Sequence, residues 1–261
     1  MILLSFDIEE FDMPFEYQKE ISFQDQMDIS IAGTEAILDI LERHGVKATF
    51  FSTVVFAQHA LPTIQRLLAA GHELASHGYY HSDFKTEHLR SSRIELEKII
   101  QAPVLGYRMA RMQPTDDLEI QKAGYLYNSS VNPTWLPGRY NNLHISRTYF
   151  KTDQVLQIPA SVTPLVRFPL FWLSFHNLPL WLYVALARWT TKVDGYLNVY
   201  FHPWEFTDLD DKERFGFPGY VRKNTGSKMI GRMDQFIHKL KQKKAEFVTF
   251  SSFVKAVSKP Q

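Results

Sequence analysis

The chain has 261 residues, enough for one α/β domain, and its 45% hydrophobic and 22% charged residues are ordinary for a globular protein with a full core. The net charge of +1, without a long block of like charges, argues against a nucleic-acid partner. Cysteine is absent, which excludes disulfides and thiolate metal sites, so only His and carboxylate side chains could hold a metal.

Strand-like and helix-like segments alternate along the chain. Apolar, β-branched or aromatic runs predict strands at residues 2–8, 48–55, 73–76, 104–108, 125–128, 197–201 and 247–250. Helical spacing of apolar residues predicts helices at residues 31–44, 61–70, 86–100, 116–123, 181–190 and 228–241. Residues 131–160, which contain three prolines, are predicted to form a long loop with short strands. No linker or repeat divides the chain, so we predict a single domain over residues 1–261, built from about seven βα units in a barrel-like α/β fold.

Polar residues follow several of the predicted strands, at the point where each strand ends. They are Asp7, His77, Arg108 and His202. Because the carboxyl ends of parallel strands converge on one face of a barrel, and active sites are built there, these four residues are candidates for one site.

His77 and His81 form an H-x₃-H pair, and on a helical turn residues four apart share a face, so both rings could reach one cation. With ten histidines in the chain, such a pair also arises by accident. Asp7 and Glu9 strengthen the case, because residues two apart on an extended segment point to the same side. A carboxylate and two histidines leave a position open for water, and the second carboxylate is free to act as a base.

Glu10 is a rival ligand to Glu9, and the acidic run of Glu9, Glu10 and Asp12 could also be a solvated turn. His202 begins the sequence His-Pro-Trp-Glu after an apolar strand. It is either a polar strand terminus or, beside a metal site, a general acid for a leaving amine.

Five motifs occur in order along the chain: F-D-I-E-E at residues 6–10, K-A-T-F-F at 47–51, G-H-E-L-A-S-H-G-Y-Y-H at 71–81, G-Y-R at 106–108 and Y-F-H-P-W-E at 200–205. Together they resemble the polysaccharide deacetylases of carbohydrate esterase family 4, in particular a subgroup with an F-D-V-E-D start and an H-P-W-E end. The resemblance implies a distorted (β/α) barrel of about seven parallel strands and a divalent metal, most often Zn²⁺. It also implies hydrolysis of N-acetyl groups from an amino-sugar polysaccharide or oligosaccharide.

The same resemblance implies a role for each matching residue. Asp7 matches the catalytic base, Arg108 the arginine that braces the base, and His202 the acid. The metal ligands correspond to Glu9, His77 and His81. Water activated by the metal would attack the acetamide carbonyl group, and a backbone N–H near Met109 would stabilise the oxyanion.

Two departures from the family pattern bear on activity. The arginine motif usually continues Arg-Ala-Pro, whereas this chain reads Arg108-Met-Ala-Arg111, and the added Arg111 could meet an acidic substrate. Relatives often read Tyr-Asp-Ser-Ser where this chain has Asn128 in place of the Asp. If that Asp supports the acid, Asn128 would lower the pKa of His202.

The leading hypothesis is a metal-dependent carbohydrate N-deacetylase in polysaccharide or exopolysaccharide metabolism. The alternatives are an amidase acting on small cyclic amides or imides, and a catalytically silent relative that binds glycans. Arg139, Tyr140 and Trp204 are candidate substrate contacts, with packing or solvation as the competing interpretation.

The stretch Val162–Trp189 is rich in Leu, Phe and Trp, which raises the question of membrane attachment. Prolines and polar residues interrupt it, so we expect no transmembrane segment. Either packing on the barrel, which we favour, or peripheral membrane contact would explain its composition. The N-terminus lacks the basic region of a signal peptide, and we therefore expect a cytoplasmic location. The oligomeric state is left open.

Overall fold

The computed structural model describes residues 1–258 and contains ten β-strands. In chain order they are β1 (Ile2–Ile8), β2 (Thr49–Ser52), β3 (Glu73–Ser76), β4 (Gly106–Tyr107), β5 (Tyr127–Asn128), β6 (Trp135–Leu136), β7 (Tyr140–Asn141), β8 (Phe150–Thr152), β9 (Val155–Gln157) and β10 (Leu197–Phe201). Strands β6 and β7 form a separate antiparallel hairpin inside the segment that was predicted to be a long loop.

The other eight strands form one curled sheet in the order β10-β1-β2-β3-β4-β5-β9-β8. Seven of them run parallel, and only β8 pairs antiparallel, with β9. The two ends of the sheet, at β10 and beside β9, are joined by hydrogen bonds of single residues and not by a strand ladder. The backbone N–H of Ser161 donates to the Asn198 carbonyl at 2.8 Å, and the Asn198 side chain donates to the carbonyl groups of Ile158 and Pro159. The predicted distorted (β/α) barrel of about seven parallel strands is confirmed.

Eleven α-helices lie in the described part of the chain. They are α1 (Phe23–His44), α2 (Val54–His59), α3 (Leu61–Ala69), α4 (Thr86–Ile100), α5 (Asp117–Ala123), α6 (Trp172–Asn177), α7 (Leu180–Asp194), α8 (Lys212–Phe215), α9 (Gly219–Arg222), α10 (Ser227–Lys241) and α11 (Phe250–Val257). Short 3₁₀ helices occupy Met13–Tyr17, Ala110–Met112 and Pro203–Phe206.

The main hydrophobic core lies between the sheet and the helices, and β1 is buried along its whole length. A smaller cluster fills the barrel interior around Leu3, Phe51, Tyr127 and Phe250. Large aromatic side chains therefore serve as core in both places, and most of the high aromatic content is explained by packing.

One predicted strand is wrong. Residues 247–250 make only a single bridge, between Ile2 and Phe247, and helix α11 begins at Phe250. The cause is Thr249, whose hydroxyl accepts a hydrogen bond from the Ser252 N–H and so caps the helix. Other boundaries differ less: α1 begins earlier than predicted, at Phe23, and the predicted strand 48–55 ends at Ser52, before α2.

Among residues 1–258, no helix is long and apolar enough to cross a membrane. The segment 162–189 folds instead into a turn followed by α6 and most of α7. Phe175, Tyr183 and Ala187 from these helices are buried in the main core. Packing on the barrel therefore accounts for part of this segment's apolar composition.

Helix α1 lies against the 3₁₀ helix Pro203–Phe206, which directly follows His202. Gly33 makes this close approach feasible, because a Cβ at that position would lie 1.9 Å from the Pro203 carbonyl oxygen. A side chain at residue 33 would therefore push the segment that carries His202.

We expect Gly33→Ala to lower the free energy of unfolding by about 1–3 kcal/mol, because the added methyl group overpacks the contact with Pro203. Gly231→Ala is the matched control, since this residue lies within α10 and nothing would contact its Cβ within 4 Å. There we expect a gain of up to about 1 kcal/mol from helix propensity. Urea unfolding of both variants measures the difference, and equal stabilities would contradict the close contact.

Candidate active site

The candidate residues follow the carboxyl ends of neighbouring parallel strands, as predicted. His77 and Arg108 directly follow β3 and β4 and continue the hydrogen bonding of these strands. The backbone N–H of His77 donates to the Ser52 carbonyl at 2.7 Å, and that of Arg108 donates to the Ser76 carbonyl at 2.9 Å. Asp7 is the second-last residue of β1, and His202 directly follows β10. The sheet therefore brings Asp7, His77 and His202 from three separate parts of the chain into one cleft, with Arg108 buried behind Asp7.

Glu9, His77 and His81 form the one group in residues 1–258 that could hold a metal ion with three His or carboxylate ligands. Oε2 of Glu9 lies 2.9 Å from Nε2 of His77 and 3.1 Å from Nε2 of His81. Glu9 and His77 are buried, and the His81 side chain is 9% exposed. The three ligand atoms thus converge at a nearly dry point at the base of the cleft.

The other ring nitrogens show which atoms face this point. Nδ1 of His77 donates to the Arg108 carbonyl at 2.9 Å, and Nδ1 of His81 donates to Asp12 at 2.7 Å. In the neutral rings both Nε2 atoms are then unprotonated, and Glu9 Oε2 has no hydrogen-bond donor among the described residues. Lone pairs of all three residues face each other, an arrangement that a cation would satisfy, so the residues present fit a divalent metal ion.

A proton competes with the metal for this place. Burial works to lower the pKa of His81, but the carboxylates of Glu9 and Asp12 outweigh it and raise the pKa to about 9. Burial works to raise the pKa of Glu9, and the neighbouring His81 and His77 bring it below its usual value. Metal binding therefore requires His81 to lose a proton, and metal affinity should rise with pH.

Two predictions about the ligands can be compared with this geometry. Glu10, the rival of Glu9, accepts a hydrogen bond from the Thr53 hydroxyl at 2.6 Å instead, and burial raises its pKa. Glu9 is therefore the carboxylate that faces the two histidines. The assumed helical turn for His77 and His81 is wrong: these residues lie in a loop, where Gly78 has a φ of +97°.

Asp12 is a site residue that the sequence analysis assigned only to a solvated acidic run. It is 6% exposed, accepts the hydrogen bond from His81, and lies 3.3 Å from the Arg111 guanidinium group. Arg111 also donates to Glu16 at 2.8 Å. The suggestion that Arg111 meets an acidic substrate is therefore weakened, because two carboxylates of the protein already balance its charge.

Asp7 and Arg108 form a buried ion pair beside the metal-type cluster. Nη1 of Arg108 lies 2.5 Å from Oδ1 of Asp7, and the rest of the guanidinium group donates to the carbonyl and hydroxyl oxygens of Ser129. The guanidinium plane lies over the ring of Phe51, 4.0 Å from its centroid. Asp7 is thus held by one carboxylate oxygen, as the bracing role predicted for Arg108 requires.

His202 is held by a carboxylate that the sequence analysis did not single out. Glu205 accepts from Nδ1 of His202 at 3.0 Å and from its backbone N–H at 2.6 Å, and its second oxygen accepts from Nε2 of His176 at 2.7 Å. Glu205 is fully buried. The backbone contact is half of a capping box, with Glu three residues after the cap and Pro203 at the first position, and this spacing is visible in the sequence.

This contact sets the charge state of His202. Burial works to lower the pKa of His202, but the hydrogen bond and charge of Glu205, with Glu9 and Asp7 nearby, raise it above its usual value. The remaining ring nitrogen, Nε2, lies 4.0 Å from Oδ2 of Asp7. His202 therefore directs Nε2, with a proton held more firmly than usual, into the cleft beside Asp7.

One further expectation is wrong. Asn128 neither contacts His202 nor lowers its pKa, because its side chain is bonded to Gln157 and Ser130. The backbone N–H of Met109 itself donates to the Ser130 hydroxyl at 2.8 Å, and an oxyanion donor among the neighbouring N–H groups stays a prediction. Position 128 supports the loop after β5, and His202 has a different carboxylate partner, Glu205.

All three candidate substrate contacts, Arg139, Tyr140 and Trp204, line the cleft. Arg139 is exposed and Tyr140 partly so, both at the β6–β7 hairpin. Trp204 is only 3% exposed and stacks on the His202 ring with a centroid distance of 5.4 Å. It also packs against Trp172 and Phe11, so its ring joins His202 to a buried aromatic cluster. Other aromatic rings in the cleft wall are Phe171, Trp172 and Tyr200.

Comparison with known proteins agrees with this architecture. The sequence model of the polysaccharide deacetylase family matches residues 20–113. A 77-residue stretch is 42% identical to the chitooligosaccharide deacetylase of Sinorhizobium fredii, over 30% of this chain and 34% of that protein. The chain spans between a quarter and a third of the length of the curated relatives it matches.

Solved structures resemble the whole chain. A probable polysaccharide deacetylase from Pseudomonas aeruginosa superimposes with a TM-score of 0.67 at 15% identity, over 97% of this chain and 89% of that one. Puue allantoinase superimposes with a TM-score of 0.65 at 15% identity, over 100% of this chain and 91% of that one. At this level of identity the similarity shows the fold alone.

The fold is thus the (β/α) barrel of the polysaccharide deacetylases. Taken with the match over residues 20–113 and the identity to a deacetylase, this fold supports the resemblance of the chain to the polysaccharide deacetylase family. The family resemblance of the sequence motifs is confirmed. The subgroup with an F-D-V-E-D start and an H-P-W-E end stays a prediction.

We expect Glu9→Gln to weaken Zn²⁺ binding by more than about 100-fold, because loss of a partner outside the ligand shell alone typically costs 10–100-fold. Glu10→Gln is the matched control and should bind Zn²⁺ like the wild type, since Glu10 only accepts a hydrogen bond from Thr53. Calorimetric titration with Zn²⁺ measures both. A loss confined to Glu10→Gln would show that the carboxylate ligand is misassigned.

We expect Glu205→Gln to lower the pKa of His202, measured by NMR titration of the ring, because the main charge that raises it is removed. Because the pKa of His202 is higher in the folded state than in the unfolded state, its protonation stabilises the fold fully below about pH 6.5. This stabilisation is lost as the pH rises through the folded-state pKa. His176→Gln keeps the charge of Glu205 and should leave the pKa of His202 raised. An equal fall in both variants would argue against Glu205 as the cause.

Proposed function

We propose that this protein is a metal-dependent hydrolase that removes N-acetyl groups from an amino-sugar oligosaccharide or polysaccharide. The observation that carries the proposal is the arrangement of three groups in one cleft. The Glu9–His77–His81 cluster lies beside the Asp7–Arg108 pair, and His202 Nε2 lies 4.0 Å from Asp7 Oδ2. A metal site, a carboxylate base and an imidazole acid are the groups that amide hydrolysis requires.

Glu9, His77 and His81 would hold the ion, with Zn²⁺ as the metal we favour for this donor set. The ion supplies positive charge that polarises the amide carbonyl group and lowers the pKa of the attacking water. Asp12 and the Arg108 carbonyl fix the two rings through their Nδ1 protons, so that both Nε2 atoms point inward.

Asp7 is the base in this proposal. Its Oδ1 is occupied by Arg108, which orients the carboxylate and leaves Oδ2 on the side of the cleft near His202. Oδ2 is the oxygen that takes the proton of the attacking water. Arg108 is a positioning residue, since it is fully buried and touches Asp7 rather than the cleft.

His202 is the acid. Its Nδ1 proton is committed to Glu205, so only Nε2 can deliver a proton into the cleft. The raised pKa keeps His202 protonated to a higher pH than an ordinary histidine. That proton goes to the departing amine, which would otherwise leave as a poor anionic leaving group.

The walls of the cleft fit a sugar. Aromatic side chains present flat apolar faces, on which the apolar faces of pyranose rings pack, and polar groups such as Arg139 and Asn132 could bond to hydroxyl groups. The relative from Sinorhizobium fredii is named a chitooligosaccharide deacetylase, and this name supports the substrate class.

Acetate release from N-acetylglucosamine oligomers, measured with added Zn²⁺ and after chelation, tests the proposal. We expect activity that depends on metal, and a fall in kcat of about 10²–10⁴-fold in Asp7→Asn, since general-base catalysis is worth about that much. Because Asp7 lies outside the ligand set, Asp7→Asn should still bind Zn²⁺ with wild-type stoichiometry.

Other outcomes separate the alternatives. Hydrolysis of a cyclic ureide or imide without acetate release would replace the proposal by the amidase function, for which the fold is also suited. Zinc binding with glycan binding but no turnover of any amide would identify a catalytically silent relative. Full activity in Asp7→Asn would contradict the assigned base.

A further inference from the structure

One buried titratable side chain beside the cleft takes no part in the proposed mechanism. His176 lies on α6, is 1% exposed, and contacts Glu205, which is fully buried. Nε2 of His176 lies 2.7 Å from Oε2 of Glu205, and because an ionised carboxylate only accepts hydrogen bonds, this nitrogen carries the proton. His176 therefore donates to the same carboxylate that holds the proposed acid, His202.

The hydrogen bonds of Glu205 are divided between its two oxygens. Oε1 accepts from Nδ1 of His202 at 3.0 Å and from the His202 backbone N–H at 2.6 Å. Within residues 1–258, Oε2 has a single donor, which is Nε2 of His176. Because Glu205 is fully buried, loss of this donor would leave an oxygen of an ionised group without a partner, and this raises the free energy of the ionised form.

The second nitrogen of each ring indicates which imidazole carries the positive charge. Nδ1 of His176 is buried and has no partner among the described residues, so a proton there would have no acceptor. Nε2 of His202 lies instead on the side of the cleft, 4.0 Å from Oδ2 of Asp7. The positive charge beside Glu205 therefore belongs to His202, and His176 acts as a neutral donor.

No other nearby group supplies what His176 supplies to Glu205. The further titratable side chains that face Glu205 or His202 are Asp7, Glu9, Tyr183 and Tyr200. Burial raises the pKa of both tyrosines, so they stay neutral, and the two carboxylates act on His202 from the cleft. Helices α1 and α10 pack against the 3₁₀ helix that contains Glu205, and their buried residues include no charged side chain.

We propose that His176 is a positioning residue that keeps Glu205 ionised, so that the proton shared by Glu205 and His202 stays on the imidazole ring. Without this donor, the proton on Nδ1 of His202 would move to Glu205, and both residues would become neutral. His202 would keep its Nε2 proton, but a neutral imidazole gives up a proton far less readily than an imidazolium. The charge pattern can be tested without turnover, whereas its effect on catalysis rests on the proposed deacetylase function.

Nitrogen NMR of the histidine rings in the zinc-loaded protein tests the charge pattern directly. Where wild-type His202 is protonated, both of its ring nitrogens should have the chemical shift of protonated nitrogen, and His176 should be protonated at Nε2 alone. His176→Met removes the donor and still fills the space, so Nδ1 of His202 should move toward the shift of an unprotonated nitrogen. His176→Gln is the matched control, because it has nearly the shape of Met and keeps an N–H donor, and it should retain the wild-type pattern.

The pH dependence of acetate release separates a change of charge from damage to the fold. In His176→Met we expect kcat to fall by about 10–100-fold, because less of His202 is an imidazolium. The alkaline limb of the kcat profile should also move to higher pH, because loss of the shared proton then creates an ionised Glu205 with an unpaired oxygen. In His176→Gln the limb should stay close to its wild-type position.

Three results would overturn the proposal: an unchanged His202 spectrum in His176→Met, an imidazolium at His176 in the wild type, or an equal loss in His176→Gln and His176→Met. The last of these would show that residue 176 acts through packing alone. If His176→Met does not fold, the protonation of the wild-type His176 ring decides the question. The predicted nitrogen shifts without acetate release by the wild type would support the role of His176 and reject only the deacetylase function.

Discussion

The guanidinium group of Arg108 is fully buried, and the geometry of the cleft depends on how this charge is compensated. An unpaired buried charge costs several kcal/mol, so its partners must be in place whenever the protein is folded. Asp7 comes from β1 and Ser129 from the loop after β5, on either side of β4, which leads into Arg108. The curl of the sheet and the position of Asp7 are therefore linked, because the ion pair forms only if all three strands keep their places.

The other buried carboxylates of the cleft also need partners that compensate their charge, and one of them lacks such a partner on one oxygen. Asp12 is satisfied by His81 and Arg111, and Glu205 by His202 and His176. When both rings are neutral, Oε2 of Glu9 faces two nitrogens whose protons are directed elsewhere. Among the buried carboxylates of the cleft, this unsatisfied oxygen between two rings is the strongest structural argument for a bound cation, with which a proton on His81 would compete.

Much of the site could be predicted because it depends on a local rule. Polar residues placed after apolar strands converge in a parallel barrel, and strands such as β3 and β10 were predicted with their observed ends. Glu205 and His176 were missed because they are 29 residues apart and because Glu205 faces inward, away from the cleft. The role given to Asn128 was wrong for a related reason. Its hydrogen bonds are set by the loop after β5, and no sequence pattern reports which buried amide pairs with which neighbour.

Asp7 and His202, the proposed base and acid, stand only 4.0 Å apart, and oppositely charged groups at that distance tend to form a direct ion pair. Such a pair would occupy Oδ2 of Asp7 and the Nε2 proton of His202, the two atoms that the proposed mechanism needs. Each residue is instead anchored from behind, Asp7 by Arg108 through Oδ1 and His202 by Glu205 through Nδ1. These two anchors hold the reactive atoms apart and facing the cleft. They also place the carboxylate and the imidazole in opposite electrostatic environments, the arrangement by which one cleft can hold a base and an acid at the same pH. The departure at position 128 leaves this arrangement intact, because neither anchor passes through Asn128.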